Sequence, residues 1–132
     1  MKRAILLASA LLAATAAHAA EPKIGRVALT LPDSQEFTDE FKADAPKIVL
    51  HAELLDVPAG SKVGAAWIAA EVDGVEADYK IDAAVVDVGE DGAEEATFTL
   101  SKPDAGWPVG AYRVDIDIDD VAMESADFSI VN

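Results

Sequence analysis

The sequence predicts an all-β fold, an antiparallel sandwich of about seven strands, and three observations carry that prediction. Apolar and polar residues alternate with a period of two from Val27 onward, the spacing of strands with one buried face. β-Branched and aromatic residues fill these runs, and Gly, Pro and Asp punctuate them at sandwich-like intervals. No cysteine occurs, so packing alone must hold the two sheets together.

A leader precedes the first strand. Lys2 and Arg3 open it, an apolar run from Ala4 to Ala17 follows, and Ala17-His18-Ala19 places small residues at both specificity positions of a signal-peptidase site. The run is shorter than the roughly 20 apolar residues of a membrane-spanning helix. We therefore read 1–19 as a cleavable signal peptide and 20–132 as one mature domain, periplasmic or secreted, with no membrane insertion after cleavage. A lipid-anchored form is excluded, because its acyl chain needs a cysteine beside the cleavage site.

Val27, Leu29 and Leu31 alternate as a first strand that Pro32 stops. The stretch Ser34 to Ala45 is polar apart from Phe37 and Phe41; their four-residue spacing suits either a helical turn or an irregular edge. After Pro46, Ile48, Leu50, Ala52 and Leu54 share one face of a second strand, with Val49, His51 and Glu53 on the other. Val57-Pro58-Ala59-Gly60 ends it. A third strand, Val63 to Val72, carries Trp67 and closes at Asp73-Gly74, a hairpin-type dipeptide.

Tyr79, Ile81, Ala83 and Val85 mark a fourth strand that ends in the acidic turn Gly89-Glu90-Asp91-Gly92, and Ala96, Phe98 and Leu100 mark a fifth. Tyr112, Val114, Ile116 and Ile118 alternate with Arg113, Asp115, Asp117 and Asp119 along a sixth, and Phe128 and Ile130 lie on the last. Neither an internal repeat nor a linker divides the chain.

Two details sharpen this architecture. Trp67 lies on the third strand, and Gly110-Ala111-Tyr112-Arg113-Val114 opens the sixth. Together with the stretch Phe98 to Tyr112, they resemble bacterial exported immunoglobulin-like domains, which bury a tryptophan there and begin that strand at a tyrosine corner. The resemblance implies an immunoglobulin-like antiparallel β-sandwich in which the Tyr112 hydroxyl reaches back to the backbone. Val114 and Leu50 would stand where antibody domains carry their cysteines. It implies fold and no activity.

Charge narrows function. Without Lys2 and Arg3, eight Lys and Arg face 25 Asp and Glu, a net −17, which repels nucleic acid and anionic membranes and attracts cations and basic proteins. The missing cysteines exclude thiol catalysis, iron–sulfur clusters and cysteine-ligated zinc. His51 is the sole histidine of the mature chain, so sites of two or three histidines are excluded too. Beside Glu53 it has no nucleophile nearby in sequence, and no GxSxG elbow occurs. The reading is therefore of no enzyme, no catalytic residue and no cofactor.

Asp115-Ile116-Asp117-Ile118-Asp119-Asp120 invites calcium, but an EF-hand would need glycine at Asp120 and glutamate at Ala126. A loop site of Asp119, Asp120 and Glu124 stays open, as does one drawn from Asp87, Glu90, Asp91, Glu94 and Glu95. A different pattern points to protein binding. With Trp67 facing inward, Ala66, Ile68, Ala70 and Val72 face outward, and in an immunoglobulin-like order this apolar strip lies beside Asp115 and Asp117. Either a partner or the Ser34 to Ala45 segment covers it. The leading expectation is an acidic binding or accessory module for a basic protein or peptide. The alternatives are a calcium-binding structural or sensor domain of the envelope and an envelope protein that self-associates through strand edges.

Overall fold

The computed structural model describes residues 21–90 and 92–132. The expected signal peptide over 1–19, Ala20 and Asp91 lie outside the described residues. Eight strands follow in order: β1 (Lys23–Thr30), β2 (Glu40–Lys42), β3 (Lys47–Leu55), β4 (Lys62–Val72), β5 (Tyr79–Asp87), β6 (Glu95–Ser101), β7 (Gly110–Ile118) and β8 (Val121–Val131). They form a three-stranded sheet in the order β1-β3-β6 and a five-stranded sheet in the order β2-β8-β7-β4-β5. The pairings are antiparallel except that of β2 with β8.

The period-two pattern decides what the sheets bury. β6 alternates strictly between exposed and buried, and β7 nearly so, each strand turning one face to the core. Ile48, Leu50, Ala52, Phe98 and Leu100 from the smaller sheet meet Val63, Trp67, Val114, Ile116 and Ile130 from the larger in one core cluster. Phe128 is its aromatic hub. Its ring stacks on Tyr112 at 5.2 Å and takes edge contacts from Trp67 at 6.1 Å and Phe41 at 5.9 Å, geometries that suit the ring quadrupoles.

The corner implied by the resemblance is present: the Tyr112 hydroxyl donates to the Pro108 carbonyl. Gly110 is required just before it, because a Cβ there would come within 2.6 Å of the Glu71 carbonyl oxygen. Val114 and Leu50 are both fully buried.

The segment left open, Ser34 to Ala45, forms no helix. It is a loop leading into β2, an eighth strand whose Phe41 enters the core while Phe37 stays exposed. Asp73-Gly74 does not form a two-residue hairpin either; residues 73–78 make a longer connection. The tight hairpin is Asp119-Asp120, with φ of 49° and 68°, the signs that a type I′ turn demands.

Candidate functional site

Strand direction gathers the acidic loops. Because β4 runs antiparallel to both β5 and β7, its first residues lie beside the last residues of each. Backbone bonds from Gly60 to Val88 and from Asp119 to Lys62 tie the β3–β4, β5–β6 and β7–β8 connections together at one end of the sandwich. Asp56, Asp87, Glu90, Glu94, Asp119 and Asp120 therefore share that end, and Glu53, Glu95 and Glu124 lie just inside it. Among the described residues the cations there are Lys23 and Lys62, with Arg26 beside Glu53 just inside. Lys62 donates to Asp87 at 2.7 Å, a partnership that holds the ammonium above its ordinary pKa. The two acidic clusters of the sequence thus become one surface.

Proximity does not make these carboxylates a metal cage. Asp119 Oδ1 accepts the Lys62 backbone N–H at 2.9 Å, and Glu124 Oε1 accepts that of Ser125 at 3.3 Å. Among the described residues, no three His, Asp or Glu side chains are arranged to hold an ion.

The expected binding strip is rearranged by a β-bulge. Across β4 and β7, Ala66 stands opposite Asp115 and Gly64 opposite Asp117, which puts the apolar and acidic residues side by side. Asp117 lies flat over Gly64, where a Cβ would meet its Oδ1 at 2.7 Å. Ala66, Ala70, Asp115 and Asp117 are half-buried. Ile68 is only 5% exposed, although it lies off the core cluster. Arg113, its neighbour on β7, bonds Asp115 on its own strand and reaches Asp78 beyond β4 at 2.6 Å. The arginine side chain thereby crosses β4 at Ile68 and covers it. Val72 corrects the expectation outright. The bulge between Ala69 and Glu71 reverses its facing, and it belongs to the core.

His51 gains partners that its sequence neighbours do not reveal. On the outer face of the three-stranded sheet, Arg26, Phe37, His51, Glu53 and Glu95 wall a groove of about 320 Å³. His51 Nε2 lies 3.1 Å from Thr30 Oγ1 and its Nδ1 lies 3.7 Å from Glu95. Hydroxyl, imidazole and carboxylate thus stand in the order of a catalytic triad. Thr30 lines this groove as well but is only 2% exposed, so the imidazole satisfies a nearly buried hydroxyl. Three strands supply the three groups, which is why spacing along the chain gave no sign of them.

A second concavity is apolar. Val75, Tyr79 and Ile81 face Pro103, Trp107 and Tyr112 around about 240 Å³ at the opposite end of the sandwich. Trp107 is held there by its indole N–H, which donates to the Ala45 carbonyl at 2.7 Å.

Comparison with solved structures settles the architecture. An immunoglobulin-like protein from Pseudomonas aeruginosa superposes with a TM-score of 0.60 at 17% identity, covering 86% of this chain and 98% of that one. The fold is immunoglobulin-like. The same fold matches part of the alkylpurine DNA glycosylase AlkC from Pseudomonas fluorescens, in a structure bound to DNA containing an abasic-site analogue. That match has a TM-score of 0.54 at 18% identity, over 86% of this chain and 31% of that one. No protein-family model and no curated protein matches the sequence.

Proposed function

We propose that this chain is exported by its N-terminal leader and works in the periplasm or outside the cell as a non-enzymatic binding or accessory module for a basic protein or peptide. The observation that carries the reading is the assembly of Asp56, Glu90, Glu94, Asp119 and Asp120 at one end of the sandwich, with two lysines to offset them. Carboxylates held on short, backbone-bonded connections form a fixed negative field. Such a field draws in cationic partners and orients them before contact. The AlkC neighbour is bound to DNA; a net −17 on the mature chain argues against the same partner here. At the His51 groove the Thr30 hydroxyl is only 2% exposed, a poor position for a nucleophile.

The test compares the mature domain with two neutralised variants. One carries Glu90→Gln, Glu94→Gln and Asp120→Asn at the acidic end; the other carries Asp33→Asn, Glu36→Gln and Asp44→Asn away from it. Each is used to capture partners from envelope extract at low and high salt. A basic protein retained by wild type and the second variant, lost by the first and released by salt, is the expected result, since exposed charges are screened over roughly 10 Å at 0.1 M salt. Equal loss in both variants would remove the acidic end as the site. The absence of any basic partner at low salt would overturn the reading.

A further inference from the structure

β5 is the outermost strand of its sheet: one side pairs with β4, and among the described residues no strand pairs with the other. It runs from the apolar concavity at Tyr79 to the acidic end at Asp87. The register shift opposite Trp67 and Ile68 makes Ile81 the extra residue of a bulge, and Ile81 packs toward the core side, into the wall of the concavity. Bulges of this kind re-aim side chains at sheet edges and sites. Tyr79, opposite Ala69 on the same face, remains 52% exposed.

The lining dictates what enters. The Trp107 indole N–H and the Tyr112 hydroxyl already donate to the Ala45 and Pro108 carbonyls, so the rings turn their apolar surface to the cavity. The enclosed volume, about 240 Å³, falls below the roughly 300–1,000 Å³ of sites for whole drug-sized ligands and suits one bulky side chain. Charge dictates what flanks it. Asp73, Glu76 and Asp104 lie on the two loops at the mouth, Asp82 lies on β5, and Glu90 follows the end of the strand. Lys80 and Lys102 are the nearby free cations among the described residues, because Arg113 is tied to Asp78 and Asp115. A second copy of this chain, also at −17, is repelled from such a track.

We infer that the free edge of β5 and the Trp107 cavity form one docking track for an extended basic segment of a partner protein. The segment adds as a sixth strand roughly 4.8 Å beyond β5 and seats one bulky apolar side chain between Tyr79, Ile81 and Trp107. Main-chain bonds supply affinity, the cavity selects the anchor, and the acidic loops select its lysine and arginine neighbours. The inference rests on the basic-partner reading and adds the partner's conformation and anchor to it.

The test uses a nine-residue peptide that alternates lysine with small residues and carries one phenylalanine, titrated into the mature domain by calorimetry at low salt. Two controls replace the phenylalanine with serine or N-methylate alternate backbone amides. The phenylalanine peptide is expected to bind roughly tenfold or more tightly than the serine peptide, and N-methylation is expected to abolish that advantage. Ala105→Trp, on an exposed loop, fills the cavity and should erase the preference while leaving salt-sensitive binding; exposed Tyr79→Ser provides a second variant should the first not fold. Equal, salt-sensitive binding of the phenylalanine and serine peptides to wild type would overturn the docking track and leave the acidic reading standing. No binding of either peptide at low salt would overturn both.

Discussion

Asp119 and Asp120 both hold positive φ, a conformation that aspartate adopts more readily than most side chains but at a cost that glycine avoids. Asp119 gains something in return, since its carboxylate bonds the Lys62 amide. Among the described residues Asp120 makes no such bond. Asp120→Gly should therefore stabilise the domain by about 0.5–1 kcal/mol, read as a higher Tm in thermal denaturation. Tyr112 presents the opposite case. Burial raises its phenol above the ordinary pKa of 10.0, because desolvation disfavours the phenolate. A folded-state pKa raised above the unfolded value gives stability that is fully present below pH 10 and is lost as pH rises through the folded pKa. Tyr112→Phe removes the bond to Pro108 and should cost about 1 kcal/mol at pH 8. Between pH 10 and 11 the variant should lose stability less steeply than wild type in urea titrations. Equal slopes would show that the phenol does not drive the alkaline loss.

At the scale of the element, β4 shows how far a period-two reading reaches. Val63, Ala65, Trp67 and Ala69 face the core as the alternation requires. The bulge against β7 then reverses the facing, and Val72 joins them. Ile68 keeps its outward direction yet is covered, because Arg113 is stretched across it between Asp115 and Asp78. The side chain is therefore part of the packed structure and is not an open contact. Ile68→Ala should cost about 2 kcal/mol in denaturant unfolding. A change within 0.5 kcal/mol, the scale of an ordinary surface substitution, would show that the arginine gives no packing there.

Over the whole molecule, self-repulsion opposes the packing. The stretch 20–132, with eight cationic and 25 acidic side chains, keeps like charges together at its acidic end, and folding brings them closer than in the unfolded chain. Raising sodium chloride from about 10 mM to 0.3 M shortens the Debye length several-fold, so Tm should rise by several degrees. The same salt should weaken capture of a basic partner. Stability and binding then move in opposite directions under one variable, which separates them in a single titration series. A Tm that does not change with salt would mean that the carboxylates lie too far apart to repel.

Most of the sandwich was legible because buried faces impose a local period. The core positions of the β3, β6 and β7 strands follow from alternation alone, and Tyr112 with Trp67 supplied the immunoglobulin-like corner and core tryptophan. Composition likewise determined the charge, the absence of thiol chemistry and the single histidine beyond residue 19. Three features had no local signal. β2 is three residues long, paired in parallel with β8, too short for any period to register. The cover over Ile68 depends on ion pairs that run from β7 across β4 to the β4–β5 connection, and the bulges that set Val72 and Ile81 arise from register between neighbours. The meeting of Thr30, His51 and Glu95, like the gathering of the acidic loops, follows from strand order. Alternation tells each strand which face to bury; the strand beside it is chosen by long-range packing between the sheets, and that choice assembled the acidic end and the Trp107 cavity.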